Sequence, residues 1–332
     1  MSTVLNIGII GYGWVARDYM YPAIHKNERV NLVAVCAKNA SEMENLPEKV
    51  KKYTETADFL KNNELDAVYI ATPNHLHKKH TIASLNAGLH VLCEKPLATT
   101  LGDAEQMINS ALAAKTVYAT AYDQRFHPAH EQMRNYIIEN KLGTVTQVKI
   151  DYACWLPKDW NDNNWRIEQH QAGGGAIIDL APHGLDLLEM LLQDKIVEIR
   201  LFDQRKVQDY AVDDGGVLML RFESGILGTM HVGYNRPDAL PRRTFEIIGT
   251  AGMLRATNTM GQDAGGKLIF IDAETGNHEP VGFDIEKSPF ESQLDGFLSL
   301  ILEGAQPLRS AEDDLRLFAL LYNALEKENQ WH

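Results

Sequence analysis

The stretch Gly8-Ile9-Ile10-Gly11-Tyr12-Gly13-Trp14-Val15-Ala16 decides the fold of this 332-residue chain. It ends an apolar segment, 4–10, and carries the spacing G-x-G-x-x-A where a helix is expected to begin. In a strand–turn–helix unit the first glycine permits a tight turn, and the second lets the backbone approach a pyrophosphate at the helix N-terminus. Because glycine-rich turns are common, the motif gains its meaning from the elements around it.

Outward from this motif, strand-like and helix-like segments alternate up to about residue 121. Fully apolar strands in strict alternation with helices are typical of a parallel sheet that is covered on both faces. The sequence therefore predicts a doubly wound parallel sheet with the glycine motif in its first strand–helix turn. Strands are expected at 4–10, 32–36, 66–71, 90–93 and 117–121, and helices at 14–26, 50–62, 75–87 and 101–114.

The pattern changes after about residue 122. Several segments there alternate between apolar and polar residues and are separated by turn residues, which is typical of an antiparallel meander. We therefore predict an α/β chain of two domains, 1–122 and 123–332, the second of the α+β type. In the second domain, helices are expected at 127–139, 173–192 and 311–328, and strands at 145–153, 197–205, 216–222, 226–234, 243–248 and 267–271.

Composition excludes several functional classes. The chain has 32 Lys+Arg and 45 Asp+Glu, a formal net charge of −13, and lacks the basic face that nucleic acid or an anionic membrane requires. No apolar run approaches the ~18 residues of a membrane span, and the N-terminus has no signal-peptide pattern. The three cysteines are odd in number and far apart, so we expect buried free thiols, no metal cluster and a cytoplasmic location.

The end of the second predicted strand bears on the choice of cofactor. An acidic residue at this place normally holds the adenosine ribose hydroxyls, but the chain has Ala37 followed by Lys38. A small neutral residue with a cation suits a 2′-phosphate, so the interpretation leans to NADP over NAD. The alternative is that Lys38 is an ordinary exposed turn lysine.

The segment Glu94-Lys95-Pro96, directly after the strand 90–93, resembles the glucose–fructose oxidoreductase / inositol dehydrogenase (Gfo/Idh/MocA) family. The resemblance implies an N-terminal Rossmann domain and a C-terminal domain with a largely antiparallel open sheet. It also implies that this sheet covers a polyhydroxylated substrate and forms a dimer or tetramer interface. Further segments match in order: Gly8–Gly13, 66–74 with His75 and His77, 87–91, 122–128, Gly173-Gly174-Gly175, Asp179-x-x-x-His183 and 249–252.

By this resemblance Lys95, Asp179 and His183 form the catalytic trio. Oxidation of a secondary alcohol needs a base of near-neutral pKa, which histidine provides, and a donor to the reacting oxygen, which a protonated lysine provides. We favour His183 as the proton acceptor with Lys95 polarising the oxygen, although the reverse assignment stays open. Asp179 lies four residues before His183 and so shares its helix face. A surface ion pair is the structural alternative for the two, and a metal site is rejected because no third ligand is marked.

Two sets of binding residues follow from the same resemblance and from the motif. Three tryptophans, Trp155, Trp160 and Trp165, flank a polar loop and suit a sugar ring, although anchoring of a long loop is the alternative for each. Turn formation and helix capping are likewise the alternative for Asn74 and His75. The expected cofactor contacts are Gly11, Tyr12, Gly13, Trp14, Val15, Lys38, Thr72, Pro73, Asn74, His75, Glu94 and Lys95; the expected substrate contacts are Lys95, Tyr122, Arg125, Trp165, Arg166, Asp179 and His183.

The resulting prediction is an NAD(P)-dependent dehydrogenase or reductase that interconverts a hydroxyl and a ketone on a sugar, inositol or related polyol. A non-catalytic dinucleotide-binding regulator is the first alternative, and the presence of the whole trio weighs against it. An NAD-dependent glycosidase of the same fold is the second. An aromatic diol or biliverdin as substrate is a third possibility within the redox class.

Overall fold

The structure is a computed structural model that describes residues 4–160 and 164–329. It divides into two compact units. The first comprises the chain up to Ala121 together with Phe290–Leu315, and the second comprises Tyr122–Pro289 and the chain from Arg316 onward. The segment Phe290–Leu315, which the sequence analysis assigns to the second domain, therefore lies in the first unit.

The first unit contains a six-stranded sheet in which every pair of neighbours is parallel. The strand order is β3-β2-β1-β4-β5-β6, so the chain winds outward in both directions from β1 and β4. This order confirms the predicted doubly wound Rossmann sheet. The strands are β1 (Leu5–Ile10), β2 (Val30–Cys36), β3 (Lys51–Tyr53), β4 (Ala67–Ile70), β5 (His90–Glu94) and β6 (Tyr118–Ala121).

The helices of this unit follow the predicted order with one error. The helix after the glycine motif is a π-helix over Ala16–Met20 that continues into an α-helix. The expected helix at 50–62 is wrong, because β3 pairs with β2 at the sheet edge and only a four-residue helix follows it. Tertiary pairing has overridden local preference there. The helices are α1 (Tyr21–Lys26), α2 (Thr56–Phe59), α3 (His77–Asn86) and α4 (Leu101–Ala113).

The second unit contains an eight-stranded sheet of order β14-β13-β12-β11-β7-β10-β9-β8. All neighbours are antiparallel except β7 and β10, which confirms the largely antiparallel sheet. Strands β12 and β14 were not predicted from the sequence. The strands are β7 (Val145–Ala153), β8 (Ile196–Gln204), β9 (Gly215–Phe222), β10 (Leu227–Gly233), β11 (Arg243–Gly249), β12 (Gly252–Thr257), β13 (Lys267–Asp272) and β14 (His278–Pro280).

Three helices of this unit precede or lie between these strands: α5 (Pro128–Ile138), α6 (Gln169–Ala172) and α7 (Ala176–Leu192). Helix α7 is almost entirely buried and begins at a carboxylate, since Asp213 accepts hydrogen bonds from the backbone N–H groups of Gly175 and Ile177 at 2.8 and 2.9 Å. A Cβ on Gly175 would lie 2.0 Å from the Asp213 carbonyl oxygen. The close approach that satisfies the first turn of α7 thus explains Gly175, the last glycine of the triplet.

Two helices end the described chain, α8 (Pro289–Leu302) and α9 (Ala311–Asn329). Helix α8 escaped prediction, and it buries Phe290, Leu294 and Phe297 in the same core cluster as Ile7 and Ile9 of β1. This burial explains why the segment belongs to the first unit. None of the helices within residues 4–160 and 164–329 has the length and apolar character needed to cross a bilayer.

Candidate active site

The residues predicted to hold the cofactor lie at one edge of the parallel sheet. They follow the carboxyl ends of β1, β2, β4 and β5, which are neighbouring strands. The winding direction reverses between β1 and β4, and open α/β sheets bind ligands at the carboxyl ends of strands beside such a reversal. The sheet order therefore brings these predicted residues together.

The glycine motif has two glycines with different environments. Gly11 has φ +89°, and a Cβ there would lie 2.7 Å from the backbone of Ala71 and Thr72, so the turn after β1 requires glycine. A Cβ on Gly13 would meet no protein atom within 4 Å. Packing therefore explains Gly11 but not Gly13, whose open surface at the start of the helix suits a pyrophosphate. Tyr12 is buried, and Trp14 and Val15 begin the helix.

The end of β2 places a small residue and a cation side by side. Ala37 is buried, and its N–H donates to the carbonyl oxygen of Tyr53 at 3.1 Å. Lys38 is exposed and forms no ion pair with any residue that the structure describes. The lysine is thus available to an anionic ligand.

The loop after β4 contains four predicted cofactor residues, Thr72 to His75. Thr72 Oγ1 is buried and has no hydrogen-bond partner among the described residues. Asn74 is buried at the start of a 3-10 turn, whereas His75 is exposed. A buried hydroxyl without a partner is costly unless a ligand or water satisfies it. Together with the open surface at Gly13, it shows that this edge fits a dinucleotide.

A buried histidine joins this loop to the one that carries Lys95. The ring nitrogens of His77 lie 2.8 Å from the Pro96 carbonyl oxygen (Nδ1) and 3.0 Å from that of Thr72 (Nε2). Burial lowers the pKa of His77 to about 4, so the ring is neutral at neutral pH and donates one N–H to one of the two carbonyls. The Lys95–Pro96 peptide bond is cis. His77 therefore connects the loops after β4 and β5.

Glu94 and Lys95 are adjacent in sequence but have different surroundings. Glu94 Oε1 accepts a hydrogen bond of 2.6 Å from the hydroxyl of Tyr69 on the neighbouring strand β4. The glutamate is thus tied to the sheet. Lys95 is half-buried and comes directly after β5, at the edge where the cofactor residues lie.

The second unit holds the other two members of the predicted trio on α7. His183 is 3% exposed, and its Nδ1 lies 3.0 Å from Oδ1 of Asp123, which is also 3% exposed. The ring meets that of Tyr152 edge to face at 5.8 Å. The other ring nitrogen, Nε2, is buried and has no hydrogen-bond partner among the described residues. His183 therefore has one nitrogen against a carboxylate and one available to a substrate.

Asp179 is tied to a different element. Its Oδ2 accepts a hydrogen bond of 2.6 Å from the hydroxyl of Tyr234, which directly follows β10. Burial, with the carboxylate as the next cause, raises the pKa of Tyr234 well above its usual value, so the tyrosine stays protonated and donates.

Two predicted substrate contacts, Tyr122 and Arg125, are buried. The Arg125 guanidinium makes two hydrogen bonds of 2.7 Å with the Asp186 carboxylate on α7 and stacks over the Tyr122 ring at 4.8 Å. Such a bidentate buried pair is well suited to fixing the turn after β6 against α7. Both side chains thus have packing roles in the structure.

The tryptophan-rich segment forms a cation–π cluster. The Arg166 guanidinium lies 4.5 Å from the centre of the Trp165 ring and 5.5 Å from that of Trp160. Both Trp165 and Arg166 are half-buried in a 3-10 turn. Residues 161–163, which belong to the polar loop between Trp160 and Trp165, lie outside the described residues.

Comparison with known proteins adds an independent line. Residues 5–122 match the oxidoreductase family with an NAD-binding Rossmann fold, and residues 130–255 match the Gfo/Idh/MocA C-terminal domain. A 1,5-anhydro-D-fructose reductase from Ensifer adhaerens is 32% identical over 92% of this chain and 91% of its own. The chain belongs to the Gfo/Idh/MocA family of oxidoreductases. The resemblance seen in the sequence is therefore confirmed, and the family's first domain binds a nicotinamide dinucleotide.

Solved structures resemble the chain over nearly its whole length. A levoglucosan dehydrogenase in complex with NADH and levoglucosan has a TM-score of 0.87 at 22% identity and covers 99% of this chain and 98% of its own. A 3-ketoreductase from Actinomadura kijaniata in complex with NADP and TDP-benzene has a TM-score of 0.84 at 21% identity, with 98% of each chain covered. At these identities the likeness establishes the fold.

Sequence reasoning gave no role in this Gfo/Idh/MocA site to Asp123, His77 or Asp213, and it did not pair Tyr234 with Asp179. Asp123 and His77 lie inside segments that match the family, Asp213 precedes a predicted strand, and Tyr234 ends one. Their contacts join residues 19 to 60 positions apart. No local spacing signals such contacts, so only the fold reveals them.

Proposed function

We propose that this protein is an NAD(P)-dependent oxidoreductase that interconverts a secondary hydroxyl and a ketone on a sugar, inositol or related polyol. The observation that carries the proposal is His183, a buried imidazole with Nδ1 beside a carboxylate and Nε2 without a partner among the described residues. A histidine so placed can accept the proton of a hydroxyl and return it.

The proposed chemistry assigns each step to a named side chain. A bound nicotinamide dinucleotide accepts or supplies hydride. His183 takes the proton of the reacting hydroxyl at Nε2, and the ammonium group of Lys95 donates a hydrogen bond to the same oxygen and stabilises its developing charge. Asp179, which already accepts from Tyr234, binds a second hydroxyl of the substrate.

The proposed cofactor contacts include both backbone and side chains. Gly11, Tyr12, Gly13, Trp14 and Val15 hold the pyrophosphate at the helix start, and the loops after β4 and β5 hold the nicotinamide half. The residues of these two loops that we propose as contacts to the nicotinamide half are Thr72, Pro73, Asn74, His75, Glu94 and Lys95.

We propose that Lys38 selects NADP, because it is exposed and follows the small Ala37. Fluorescence titration of the purified protein should then give a lower Kd for NADPH than for NADH, by about tenfold. The variant Lys38→Ala should abolish the difference, whereas Lys115→Ala, another exposed lysine of the first unit, should preserve it. Equal affinities in the unaltered protein would reject the assignment.

The substrate class rests on the relatives and on the aromatic cluster. One relative is a 1,5-anhydro-D-fructose reductase and another a levoglucosan dehydrogenase, both named for compact sugar derivatives. The half-buried Trp165 and Arg166 offer an aromatic face and a hydrogen-bond donor, which suit the C–H face and the hydroxyl rim of a sugar ring.

The deciding experiment is a panel of polyols, aldoses and ketosugars followed at the nicotinamide absorbance with both cofactors. Turnover of at least one sugar is expected, and Lys95→Ala should remove most of it with a much smaller loss of cofactor affinity, because Lys95 is only one of many proposed cofactor contacts. Binding of a dinucleotide with no turnover on any substrate would instead identify a regulator. Release of an aglycone without net change in cofactor absorbance would identify a glycosidase.

We also propose that the second unit assembles into a homodimer or homotetramer through its sheet. Phe202, Val217, Met219 and Leu227 are exposed and share one face of β8, β9 and β10 by strand register. Several exposed apolar side chains on one face of a sheet are typical of an interface. In sedimentation velocity, Phe202→Glu should shift the assembly toward monomer and Leu240→Glu, an exposed loop variant, should not; a monomeric unaltered protein would reject the proposal.

The free cysteines bear on the cellular location of the protein. Cys36 and Cys93 are buried, Cys154 is half-buried, and all three are free thiols. We propose a cytoplasmic location, since reduced cysteines persist in that compartment. Cell fractionation with an antibody to the protein would test this.

A further inference from the structure

We propose that Asp123 is the positioning residue of the active site and holds His183 in the tautomer that accepts the substrate's proton. The inference rests on the proposed function and adds to it a residue from outside the predicted trio. It is carried by the 3.0 Å separation between Asp123 Oδ1 and His183 Nδ1, both side chains being 3% exposed.

The Asp123 carboxylate is itself held in place. Its Oδ2 accepts a hydrogen bond of 2.9 Å from Nε2 of Gln124. The same amide nitrogen donates to the carbonyl oxygen of Gly261 at 2.7 Å, and the Gln124 side chain is completely buried. One carboxylate oxygen is thus fixed to the protein frame, which keeps the other directed at the imidazole.

The contact decides which ring nitrogen bears the proton. An ionised carboxylate only accepts hydrogen bonds, so the nitrogen facing it, Nδ1, carries the N–H, and Nε2 is left with its lone pair. The contact is short but is not aligned as a hydrogen bond. Catalytic contacts of this kind tighten when substrate binds.

The proton then has a defined path. During oxidation the O–H bond of the substrate breaks toward Nε2 of His183, while the C–H bond gives its electron pair and hydrogen to the oxidised nicotinamide and the C=O double bond forms. The ring becomes positively charged, and the Asp123 carboxylate faces that charge. Reduction of a ketone reverses every transfer.

This assignment separates the two carboxylates near His183. Asp179 is the one expected from the spacing on α7, but its Oδ2 accepts from Tyr234. Asp123, which comes directly after β6 and Tyr122, lies against Nδ1. One carboxylate therefore orients the base, and the other is left to bind substrate together with Tyr234.

The first test uses the unaltered protein labelled with 15N-histidine. Two-bond correlation spectra at alkaline pH, where imidazoles are neutral, distinguish the two tautomers, and the His183 signals are those lost in His183→Gln. The expected result is an Nδ1–H tautomer. A ring protonated mainly at Nε2 would overturn the proposal; the tautomer is read in the unaltered protein, and the variant serves only to assign the signals.

The second test replaces Asp123 by the isosteric amide. Asp123→Asn should lower kcat about 100-fold while the substrate KM and the cofactor Kd change by no more than about threefold, because the base is misoriented but binding persists. Asp123→Glu should restore part of kcat. In the 15N spectra of Asp123→Asn, the proportion of the Nδ1–H tautomer should fall.

The matched control is Asp151→Asn in the same unit. Asp151 Oδ1 lies 3.5 Å from Nδ1 of His231, so the variant also removes a carboxylate beside a histidine. Its kcat should stay unchanged. If Asp123→Asn likewise retains kcat, Asp123 has no positioning role. If the unaltered protein turns over no sugar at all, the proposed function fails, yet the 15N spectra still report whether Asp123 sets the tautomer.

Discussion

The cofactor edge of the first unit is built mainly from backbone, whereas the acid–base group of the second unit is built from side chains. At the first, Gly11 and Gly13 provide a turn and an open helix start within three consecutive residues. At the second, His183, Asp123 and Tyr234 come from α7, from the turn after β6 and from the end of β10. A site built from backbone can therefore be recognised in a few adjacent residues, whereas a network of side chains from distant segments forms only when the chain folds.

Both units also contain buried histidines outside the proposed catalytic trio. His77 and His80 lie in the first unit, and His127 and His130 in the second. The ring of His130 stays neutral mainly because it is completely buried, which disfavours the charged form; its nitrogens lie 2.9 Å from the Gln124 carbonyl oxygen and 3.0 Å from the Thr259 hydroxyl.

The largest expected effect is a loss of stability in acid. It should affect both units alike and so would not distinguish the cofactor edge from the acid–base group. Burial lowers the pKa of His77, His80 and His127 to about 4 and that of His130 to about 3, whereas an unfolded histidine titrates near 6.5. The unfolded chain then binds more protons, so stability is fully present above pH 6.5 and is lost as the pH falls toward 4. The loss at pH 5 is about 2 kcal/mol for each histidine.

Urea unfolding at pH 7.5 and at pH 5 would measure this loss. The variant His130→Gln, although less stable at pH 7.5, should lose less free energy of unfolding between the two pH values. An unchanged pH dependence in that variant would show that His130 does not contribute.

The second prediction tests the backbone character of the cofactor edge. Gly11→Ala places a Cβ 2.7 Å from the Ala71 backbone at a positive φ, so we expect a loss of stability of about 1–3 kcal/mol and of NADPH affinity of about 100-fold. Gly13→Ala meets no protein atom and should weaken NADPH binding about tenfold with an unchanged melting temperature.

Fluorescence titration and thermal melting of both variants would check these effects. Gly102→Ala is the control, because a Cβ there also meets open space and the residue lies in α4 of the same unit. If Gly13→Ala binds NADPH as tightly as the unaltered protein, the pyrophosphate does not approach at Gly13.

The third prediction concerns His77, a side chain that supports the cofactor edge. His77→Gln alters the link between Thr72 and Pro96, so Lys95 loses its fixed position and kcat should fall about tenfold. His80→Gln, one turn later on α3, changes a histidine that lies 3.4 Å from the Thr56 hydroxyl and should affect stability alone. Steady-state kinetics in which the two variants have equal kcat would reject the special role of His77.

The smallest expected effect is on substrate binding by the second unit. Trp165→Ala removes the aromatic face beside Arg166 and should raise the substrate KM about fivefold, since one stacking contact is worth about 1 kcal/mol. Cofactor Kd should stay the same. Trp155→Ala, another tryptophan of the segment, is the control, and a KM equal to that of the unaltered protein would leave Trp165 with a structural role only.

Much of the fold was predictable because its signals are local. The alternation of apolar strands and helices around Gly11 gave the parallel sheet, and strand β7 was predicted at its observed bounds. Strand β3 and helix α8 were not, since Lys51–Tyr53 becomes a strand only by pairing with β2, and α8 is placed by burial of side chains such as Phe290 against β1. Long-range pairing and packing leave no short-range pattern to detect.

The sequence by itself determined the dinucleotide-binding half of this protein and its family, because glycine conformations and strand ends are properties of a few adjacent residues. Only the tertiary structure decided which carboxylate faces His183, which hydroxyl Asp179 accepts from, and that Arg125 is paired with Asp186. Those contacts depend on where α7 packs relative to β10 and the turn after β6. Side-chain chemistry is local to a residue, but its partners are chosen by the fold.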